Sequence, residues 1–289
     1  MRRASAAVTS GAPQRVLVTG ARGQLAGAIV DTYKDCARVR AYSREELDIA
    51  DLDAVLARVT ADEPDVIINC AAYNHVDRAE DEPRNALIVN AFGVRVLARA
   101  AEAIGATLVH YSTDFVFDGR ASRPYVEEDT PNPQSVYAQS KLLGEWFAVE
   151  APRAFVLRVE SLFGGANAKS SIDRIAKAIL EGREVKVFQD RTVSPSYVVD
   201  VAAATRALLE RGEPGLYHCV GTGHANWHEV GLEIARVLGK QHDARLTPVS
   251  VASVSLPAPR PQFAALANDK LSRVAALPTW QDAVRRYLA

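Results

Sequence analysis

The chain has 289 residues, of which 34 are Lys or Arg and 35 are Asp or Glu, giving a formal net charge of -1. This balance provides no overall field for a polyanion, and no basic run predicts a nucleic-acid or membrane surface. We therefore expect a small-molecule partner. Hydrophobic residues make up 48% of the chain, enough for one large core or for two interlocked lobes.

The cysteines, Cys36, Cys70 and Cys219, lie far apart and show neither a disulfide framework nor zinc-ligand spacing. This pattern favours a cytoplasmic protein. Residues 1–13 carry two arginines followed by small residues, without the apolar segment of a signal peptide, and predict a disordered tail. No later stretch approaches the roughly 20 apolar residues of a membrane span.

From Arg15 onward, short β-branched runs alternate with helical patterns. In chain order these are the strand RVLVT, a helix from about Gln24, the strand VRAY, a helix near Leu52 to Thr60, the strand DVIINC, a long helix after Pro83, the strand TLVHYS, a helix from about Ser135 to Val149 and the strand AFVLRV. Such alternation predicts an α/β fold with a Rossmann-type, doubly wound parallel sheet.

The segment TGARGQLAG joins the first predicted strand to the first helix. Gly20 and Gly23 stand where a chain turns tightly and lets its backbone approach a pyrophosphate, which then lies at the helix N-terminus. Ala26 takes the third place of this G-x-x-G-x-x-A motif. The strand before it and the helix after it are the context that the motif requires, so we predict a dinucleotide cofactor. Turn chemistry alone is the alternative.

The second predicted strand ends in AYSRE rather than in an acid at its tip. A carboxylate there favours a free ribose hydroxyl, whereas Arg44 suits a 2′-phosphate and favours NADPH over NADH. A solvated surface arginine is the alternative, so the choice between NADPH and NADH stays open. Asp48 and Ile49 are placed to flank an adenine, unless Asp48 caps the helix that begins near Leu52.

Tyr137 and Lys141, in SVYAQSKLLGE, share one face of a predicted helix. An adjacent ammonium, together with an oxidised nicotinamide, is expected to lower the pKa of Tyr137 from about 10, and Lys141 is expected to hold the cofactor ribose. Thr113 ends a predicted strand and faces the crevice where α/β sheets bind ligands. The three residues predict catalysis; the alternatives are an exposed helix face and a hydroxyl satisfied by backbone.

The rhythm of the pattern changes after about Leu162, with two glycines, a helix near Ile172 to Glu181, the strand EVKVF and a Pro-broken segment. This change predicts a dinucleotide-binding domain over residues 14–161 and a smaller α/β substrate lobe over residues 162–289. The run GLYHCV, residues 215–220, is a candidate strand that returns to the sheet. The run LPAPRPQ, residues 256–262, predicts a loop over a site or a linker.

These motifs resemble those of extended short-chain dehydrogenases/reductases, and more narrowly the dTDP-4-dehydrorhamnose reductase group. STDFVFDG followed by YAQSKLLGE is the specific part, and TGARGQLAG, PDVIINCAAYNHVDRAEDEP and the RP at Arg260 support it. The resemblance implies an NAD(P)-dependent oxidoreductase that reduces a 4-keto group on a nucleotide-linked deoxysugar. A homodimer stays open.

The resemblance also assigns residues to the two ligands. For the cofactor it implies Gly23, Gln24 and Leu25 at the pyrophosphate, Asp48 and Ile49 at the adenine, Ala71, Ala72 and Tyr73 after the third strand, and Tyr111 nearby. For the substrate it implies Thr113 and Asp114 at the sugar, Tyr137 as the acid with Lys141 beside it, and Arg260 at the diphosphate, which a planar guanidinium suits.

Two departures from the family pattern stand out. Where the family tends to read R-T-S-W, this chain has Arg158, Val159, Glu160 and Ser161, so an aromatic wall is lost and an acid gained. We hypothesise that Glu160 or Ser161 lines the substrate pocket and that the natural sugar is not dTDP-4-dehydrorhamnose. The alternative is that Glu160 pairs with a nearby arginine such as Arg158 or faces solvent. Ala28 replaces an acid that some relatives use for a bridging metal, and we expect no metal.

Two further functions stay open. The first is a short-chain reductase of another carbonyl compound, which the change at Glu160 and Ser161 suggests. The second is a non-catalytic, nucleotide-binding regulatory subunit, against which the intact Thr113, Tyr137 and Lys141 argue.

Overall fold

A computed structural model describes residues 13–166 and 169–289 of the chain. The disordered tail predicted for residues 1–13 falls outside the described residues, except for its last position. Among the residues that are described, no helix has the length and apolar character needed to cross a membrane.

The main structural feature is a six-stranded parallel sheet. Its strands are β1 (Arg15–Thr19), β2 (Arg38–Tyr42), β3 (Val66–Asn69), β4 (Thr107–Thr113), β5 (Ala154–Val159) and β10 (Gly215–His218). They lie in the order β10-β5-β4-β3-β1-β2, and every neighbouring pair is parallel. The predicted doubly wound parallel sheet is confirmed. Because β1 lies between β2 and β3, the strand order reverses beside β1, where open α/β sheets bind ligands.

Helices cover both faces of the sheet because successive strand residues point to opposite sides. Val16 and Val18 of β1 belong to one apolar cluster and Leu17 to another. The first cluster includes α1 (Gln24–Tyr33) and α8 (Val198–Arg211), and the second includes α2 (Leu52–Asp62), α5 (Gly93–Ile104) and the end of α6 (Val136–Ala148). This double coverage explains the near-continuous apolar runs of the strands.

The long helix predicted after Pro83 is divided in the structure. A single turn, α3 (Arg78–Asp81), is followed by α4 (Pro83–Leu87), a π-helical segment (Ile88–Phe92) and α5. The π-helical segment places Asn90 beside α6, where the amide donates to the Ser140 hydroxyl at 3.0 Å. The irregular segment therefore contributes to the contact between α5 and the helix that carries Tyr137 and Lys141.

Side-chain caps define the starts of two of these helices. Asp51 caps α2 by accepting a hydrogen bond from the Ala54 amide at 3.0 Å. The Asp48 side chain instead accepts from the Ala50 amide at 3.0 Å. The interpretation of Asp48 as the cap was therefore wrong, since the cap lies three residues later in the chain. Ser135 caps α6 through the Ala138 amide at 3.2 Å and thereby sets the rotation of Tyr137 and Lys141 about the helix axis.

The second half of the chain also builds a smaller lobe. Its elements are β6 (Leu162–Phe163), α7 (Ser171–Leu180), β7 (Val185–Phe188), β8 (Thr192–Val193), β9 (Ser196–Tyr197), β11 (Ala225–Asn226), α9 (Trp227–Val237), β12 (Leu246–Val249) and α11 (Trp280–Leu288). The short helix α10 (Asp269–Ser272) packs with the central sheet, since its Leu271 belongs to the apolar cluster of α1 and α8. The helices α7, α9 and α11 share an apolar cluster that includes Trp227 and Trp280. Strand β10 joins the central sheet instead, beside β5.

Candidate active site

Two adjoining cavities lie at the carboxyl ends of the strands, where the strand order reverses. The larger has a volume of about 700 Å³ and the smaller about 410 Å³, in the range of small-molecule sites. Both are lined by Gly23, Cys70, Ala71, Ala72 and Asn74, so they form one continuous cleft.

The structure brings most of the predicted cofactor residues to this cleft. The larger cavity is lined by Gly20, Gly23, Arg44, Asp48, Ile49, Ala71, Ala72 and Tyr73. The smaller cavity is lined by Gly23, Gln24, Leu25, Ala71, Ala72, Tyr111, Tyr137 and Lys141. The predicted substrate residues Thr113, Asp114, Glu160 and Ser161 also line the smaller cavity.

The glycine turn packs the end of β1 closely against the backbone that follows β3. Gly20 has a φ of +70°, and a Cβ atom there would lie 2.7 Å from the backbone nitrogen of Ala71. Only glycine avoids both the strained backbone and this clash. Gly23 is the N-cap of α1 and offers no side chain, so the first amides of that helix face the cleft as an anion site.

Tyr137 and Lys141 stand on the same wall of the smaller cavity as Thr113. The Lys141 ammonium donates to the Tyr111 carbonyl oxygen at 2.6 Å, and the Tyr137 ring packs edge-on against Phe115, with centroids 5.7 Å apart. The Thr113 hydroxyl donates to Asp114 Oδ1 at 2.8 Å. The helix spacing and the strand end thus place the three predicted catalytic side chains together.

The pKa of Tyr137 is shifted in the direction opposite to the one expected. Burial and the negative charge of Asp114 raise the pKa of this phenol, although the Thr113 hydroxyl opposes the shift. We expected the lowering from Lys141 together with an oxidised nicotinamide; in the chain itself, burial dominates the Tyr137 pKa, and burial also lowers the pKa of Lys141, to about 8. Tyr137 therefore stays protonated at neutral pH, which is the state a proton donor requires.

Glu160 is only 2% exposed, so the alternative that it faces solvent was wrong. Arg158 binds Glu145 instead, with Nη2 2.8 Å from Oε2, and the nearby arginine whose charge acts on Glu160 is Arg191. Glu160 Oε2 accepts from the Ser194 amide at 2.7 Å, whereas Oε1 has no hydrogen-bond partner among the described residues. Burial, and then the charge of Asp114, raise the pKa of Glu160 well above its usual range.

Arg191 is the site residue that the sequence did not reveal. It lines the smaller cavity, and burial lowers its pKa although Asp114 and Glu160 oppose this shift. Its Nε, like Asp114 Oδ2 and Glu160 Oε1, is buried without a hydrogen-bond partner in the described chain. Burial raises the pKa of Asp114 to about 6. Buried polar atoms are normally paired, so three unpaired atoms at one cavity indicate a polar ligand.

Arg260 and Ser161 differ from the other predicted substrate residues. Arg260 lines neither cavity: it binds Asp77 at 2.8 Å and lies 5.8 Å from the centre of the Phe115 ring, behind the wall. Ser161 lines the smaller cavity with a φ of +44°, which is uncommon for a residue other than glycine. Within residues 13–166 and 169–289, no three His, Cys, Asp or Glu side chains are grouped to hold a metal ion.

Comparison with known proteins gives consistent matches over most of the chain. The family model described as RmlD substrate binding domain matches residues 14–289. A dTDP-4-dehydrorhamnose reductase of Sinorhizobium fredii is 33% identical over 288 residues, covering 94% of this chain and 96% of that protein. A Streptomyces antibioticus protein named "Probable dTDP-4,6-dihydroxy-2-methyloxan-3-one 4-ketoreductase" is 33% identical over 279 residues, covering 94% and 93%.

A solved structure extends the match to the fold. The crystal structure of dTDP-4-dehydrorhamnose reductase from Bacillus anthracis str. Ames, in complex with NADP, has a TM-score of 0.90 and 30% sequence identity. The match covers 95% of this chain and 98% of that chain. The parallel sheet, the glycine turn and the Tyr137 and Lys141 pair all lie within the matched region. This chain therefore belongs to the RmlD substrate binding domain family, among the NAD(P)-dependent oxidoreductases of the extended short-chain dehydrogenase/reductase type.

Proposed function

We propose that this protein is an NADPH-dependent reductase of a 4-keto group on a nucleotide-linked deoxysugar. The observation that carries the proposal is the position of Thr113, Tyr137 and Lys141 on one cavity wall, next to the cavity that adjoins the glycine turn. The activities named for the relatives from Sinorhizobium fredii and Bacillus anthracis support the same reaction.

The proposed cofactor site extends along the cleft. The tight turn at Gly20 and the start of α1, which has no side-chain cap, fit a pyrophosphate, with Gly23, Gln24 and Leu25 around it. The other contacts proposed are Asp48 and Ile49 with the adenine, Arg44 with a 2′-phosphate, Ala71, Ala72, Tyr73 and Tyr111 along the dinucleotide, and Tyr137 and Lys141 at the nicotinamide ribose. On this assignment residues 14–161 hold the cofactor, and the lobe within residues 162–289 covers the sugar.

In the proposed mechanism the reduced nicotinamide supplies the hydride to the carbonyl carbon. The Tyr137 phenol, kept protonated by burial and Asp114, gives its proton to the carbonyl oxygen. Thr113 holds that oxygen through its hydroxyl. A protonated Lys141 stabilises the phenolate that the transfer leaves behind. Asp114, Glu160 and Arg191 offer their unpaired atoms to sugar hydroxyl groups, and Arg260 approaches the diphosphate if it releases Asp77.

The proposed sugar differs from dTDP-4-dehydrorhamnose. Serine at position 161 offers no aromatic face to a deoxysugar, and Glu160 adds an acceptor. These two positions therefore give the pocket less apolar surface and more polar surface than the family's R-T-S-W pattern would. The relative named as a 4-ketoreductase of a dTDP-4,6-dihydroxy-2-methyloxan-3-one supports a second candidate, which is the same chemistry on a different dTDP-sugar.

Tyr137→Phe tests the reaction. We expect turnover to fall by about 10² to 10⁴, because general acid catalysis contributes that factor, while NADPH affinity, measured by cofactor fluorescence, is unchanged. Tyr217→Phe is the matched control, since Tyr217 is buried and bonded to the Glu213 carbonyl oxygen at the sheet edge. Near-native turnover in Tyr137→Phe would overturn the role of Tyr137. NADPH binding without turnover of any keto-sugar would favour a regulatory subunit.

Arg44→Ala tests the choice of cofactor. We expect NADPH affinity to fall by about tenfold or more, the size of a lost bond to a charged group, with little change for NADH. Equal losses for the two cofactors would show that Arg44 does not contact a 2′-phosphate. Activity with dTDP-4-dehydrorhamnose at an ordinary kcat/KM of about 10⁴ M⁻¹s⁻¹ or more would contradict the proposed change of sugar.

A cytoplasmic homodimer is part of the proposal. The exposed and unpaired thiol of Cys36 suits a reducing compartment. Phe92, Trp146 and Val149 are 49%, 62% and 60% exposed, and the Phe92 ring lies near that of Phe147, so α6 carries an apolar surface that a second copy would cover. Trp146→Glu is expected to convert a dimer to a monomer in light scattering. A wild-type monomer would contradict this part.

A further inference from the structure

A chain of buried polar side chains runs beneath Lys141 and takes no part in the reaction described so far. The Thr19 hydroxyl donates to Asn69 Oδ1 at 2.7 Å, Asn69 Nδ2 lies 3.1 Å from His110 Nδ1, and His110 Nε2 lies 3.5 Å from Lys141 Nζ. None of the four side chains is more than 3% exposed. The chain thus connects the ends of β1 and β3 and the middle of β4 to the lysine on α6.

The orientation of the Asn69 amide is determined by its other contacts. The Ala71 backbone N–H donates to Asn69 Oδ1 at 3.1 Å, and a backbone N–H can only donate. The atom that receives this bond is therefore the oxygen, and the amide nitrogen faces His110. If the Asn69 amide were rotated, its NH2 group would face the Ala71 N–H, which is also a donor. The Thr19 hydroxyl would lose its acceptor as well.

The Asn69 amide in turn determines the tautomer of His110. Burial, and then the charge of Lys141, hold the pKa of His110 well below its usual range, so the ring is neutral. Because Nδ1 accepts from the Asn69 amide, the single ring proton is on Nε2. That N–H is directed at Lys141 Nζ, which itself donates to the Tyr111 carbonyl oxygen.

An ammonium group has no lone pair to accept this N–H, whereas a neutral amine has one. On the basis of the proposed function, we propose that His110 is a positioning residue that favours the neutral amine of Lys141. His110 thereby sets the pH above which Lys141 loses its proton and its positive charge. The residue acts through Lys141 and does not touch either ligand.

Other groups around Lys141 act on its pKa as well. Burial is the largest influence and lowers the pKa to about 8, while Glu145 and Cys70 oppose this shift. Glu145 is already bound to Arg158, and burial raises the pKa of the Cys70 thiol, which leaves that thiol neutral. Tyr137 is a neutral phenol. Among these groups, His110 is thus the one whose N–H can donate to the neutral amine of Lys141 but not to the ammonium.

Nitrogen NMR of the histidine rings in the ligand-free protein tests the tautomer directly. His110 is expected to be neutral with its proton on Nε2. His218 is the internal reference with the opposite tautomer, because its Nδ1 lies 3.1 Å from the carbonyl oxygens of Tyr125 and Ala267 and its Nε2 faces Arg158. A His110 proton on Nδ1, or a charged His110 ring at neutral pH, would overturn the proposal.

Asn69→Asp tests the effect on Lys141. A carboxylate at this position still accepts from Thr19 and Ala71 but requires a proton on His110 Nδ1, so Nε2 becomes an acceptor for the ammonium. We expect the pKa of Lys141, followed by NMR of its Cε in the ligand-free protein, and the alkaline limb of kcat/KM to rise by about one pH unit or more.

Asn90→Asp is the matched control for the added charge. Asn90 is 1% exposed, as Asn69 is, but it bonds to Tyr73 and Ser140 rather than to His110. We expect a smaller rise in the pKa of Lys141 with the His110 tautomer unchanged, and an equal rise in both variants would overturn the proposal. Loss of turnover in the wild-type protein would reject the proposed function but would leave both NMR measurements standing.

Discussion

Two buried clusters of charge lie near each other at the carboxyl ends of β4 and β5, and they differ in how fully their atoms are paired. In the first, Arg158 binds both carboxylate oxygens of Glu145 at 2.8 Å. The Ser112 hydroxyl also donates to this carboxylate, and His218 Nε2 lies 3.4 Å from Arg158 Nη1. In the second, Asp114, Glu160 and Arg191 each keep one buried atom without a partner in the described chain. The atoms of the first cluster are paired with one another, whereas the second cluster is the one that we propose binds a ligand.

The difference follows from the cost of leaving a buried polar group unpaired, about 1 to 3 kcal/mol and more for a charged group. A protein accommodates that cost where a ligand later removes it. Glu160 reduces the cost in the meantime, since burial raises its pKa well above the usual range and favours its protonated form. Burial raises the pKa of Asp114 to about 6, so this carboxyl is mainly protonated only below that pH. Three predictions test the difference between the two clusters.

The largest effect is expected on stability. Arg158→Met leaves Glu145 as an uncompensated buried charge and is expected to lower the free energy of unfolding in urea by about 3 to 5 kcal/mol. Arg191→Met is the counterpart in the second cluster. At pH 5 it is expected to cost less than about 1 kcal/mol, because the neighbouring carboxyls of Asp114 and Glu160 both favour the neutral state at that pH. Similar losses for the two variants would contradict the distinction between the clusters.

The next effect concerns the substrate. Glu160→Gln is expected to lower kcat/KM for the natural keto-sugar by about 2- to 10-fold, the value of a hydrogen bond between neutral groups, because burial keeps Glu160 protonated, with little change in urea unfolding. Glu145→Gln provides the comparison, and we expect a clear loss of stability without a change in the ranking of a panel of nucleotide sugars. A Glu160→Gln variant with native kcat/KM for every sugar would remove Glu160 from the pocket.

The smallest effect is a pH dependence of stability. The folded protein holds the Asp114 proton more tightly than the unfolded chain does, so the stabilisation is complete below pH 3.8 and is lost as the pH rises to about 6. The free energy of unfolding of Asp114→Asn, relative to wild type, should therefore increase between those values. A relative stability that is constant or falls over that range would show that burial does not raise the pKa of Asp114.

Much of the fold and part of the site follow from local pattern. Apolar runs alternating with helical segments predicted the sheet, and the Tyr137 and Lys141 spacing placed both side chains on one helix face, because both patterns depend on short-range backbone geometry. Local pattern also misled. It did not distinguish Asp48 from Asp51 as the cap of α2, since both precede the helix closely and only the backbone turn decides between them.

The parallel sheet, the glycine turn at Gly20 and the shared helix face of Tyr137 and Lys141 follow from the sequence, because each depends on residues close together in the chain. The tertiary structure was needed to show that the charge of Arg191 acts on Asp114 and Glu160, that Arg158 binds Glu145, and that the pKa of Tyr137 is raised. These outcomes depend on which distant groups share a buried space and on how much water that space excludes, and neither quantity is written in local spacing.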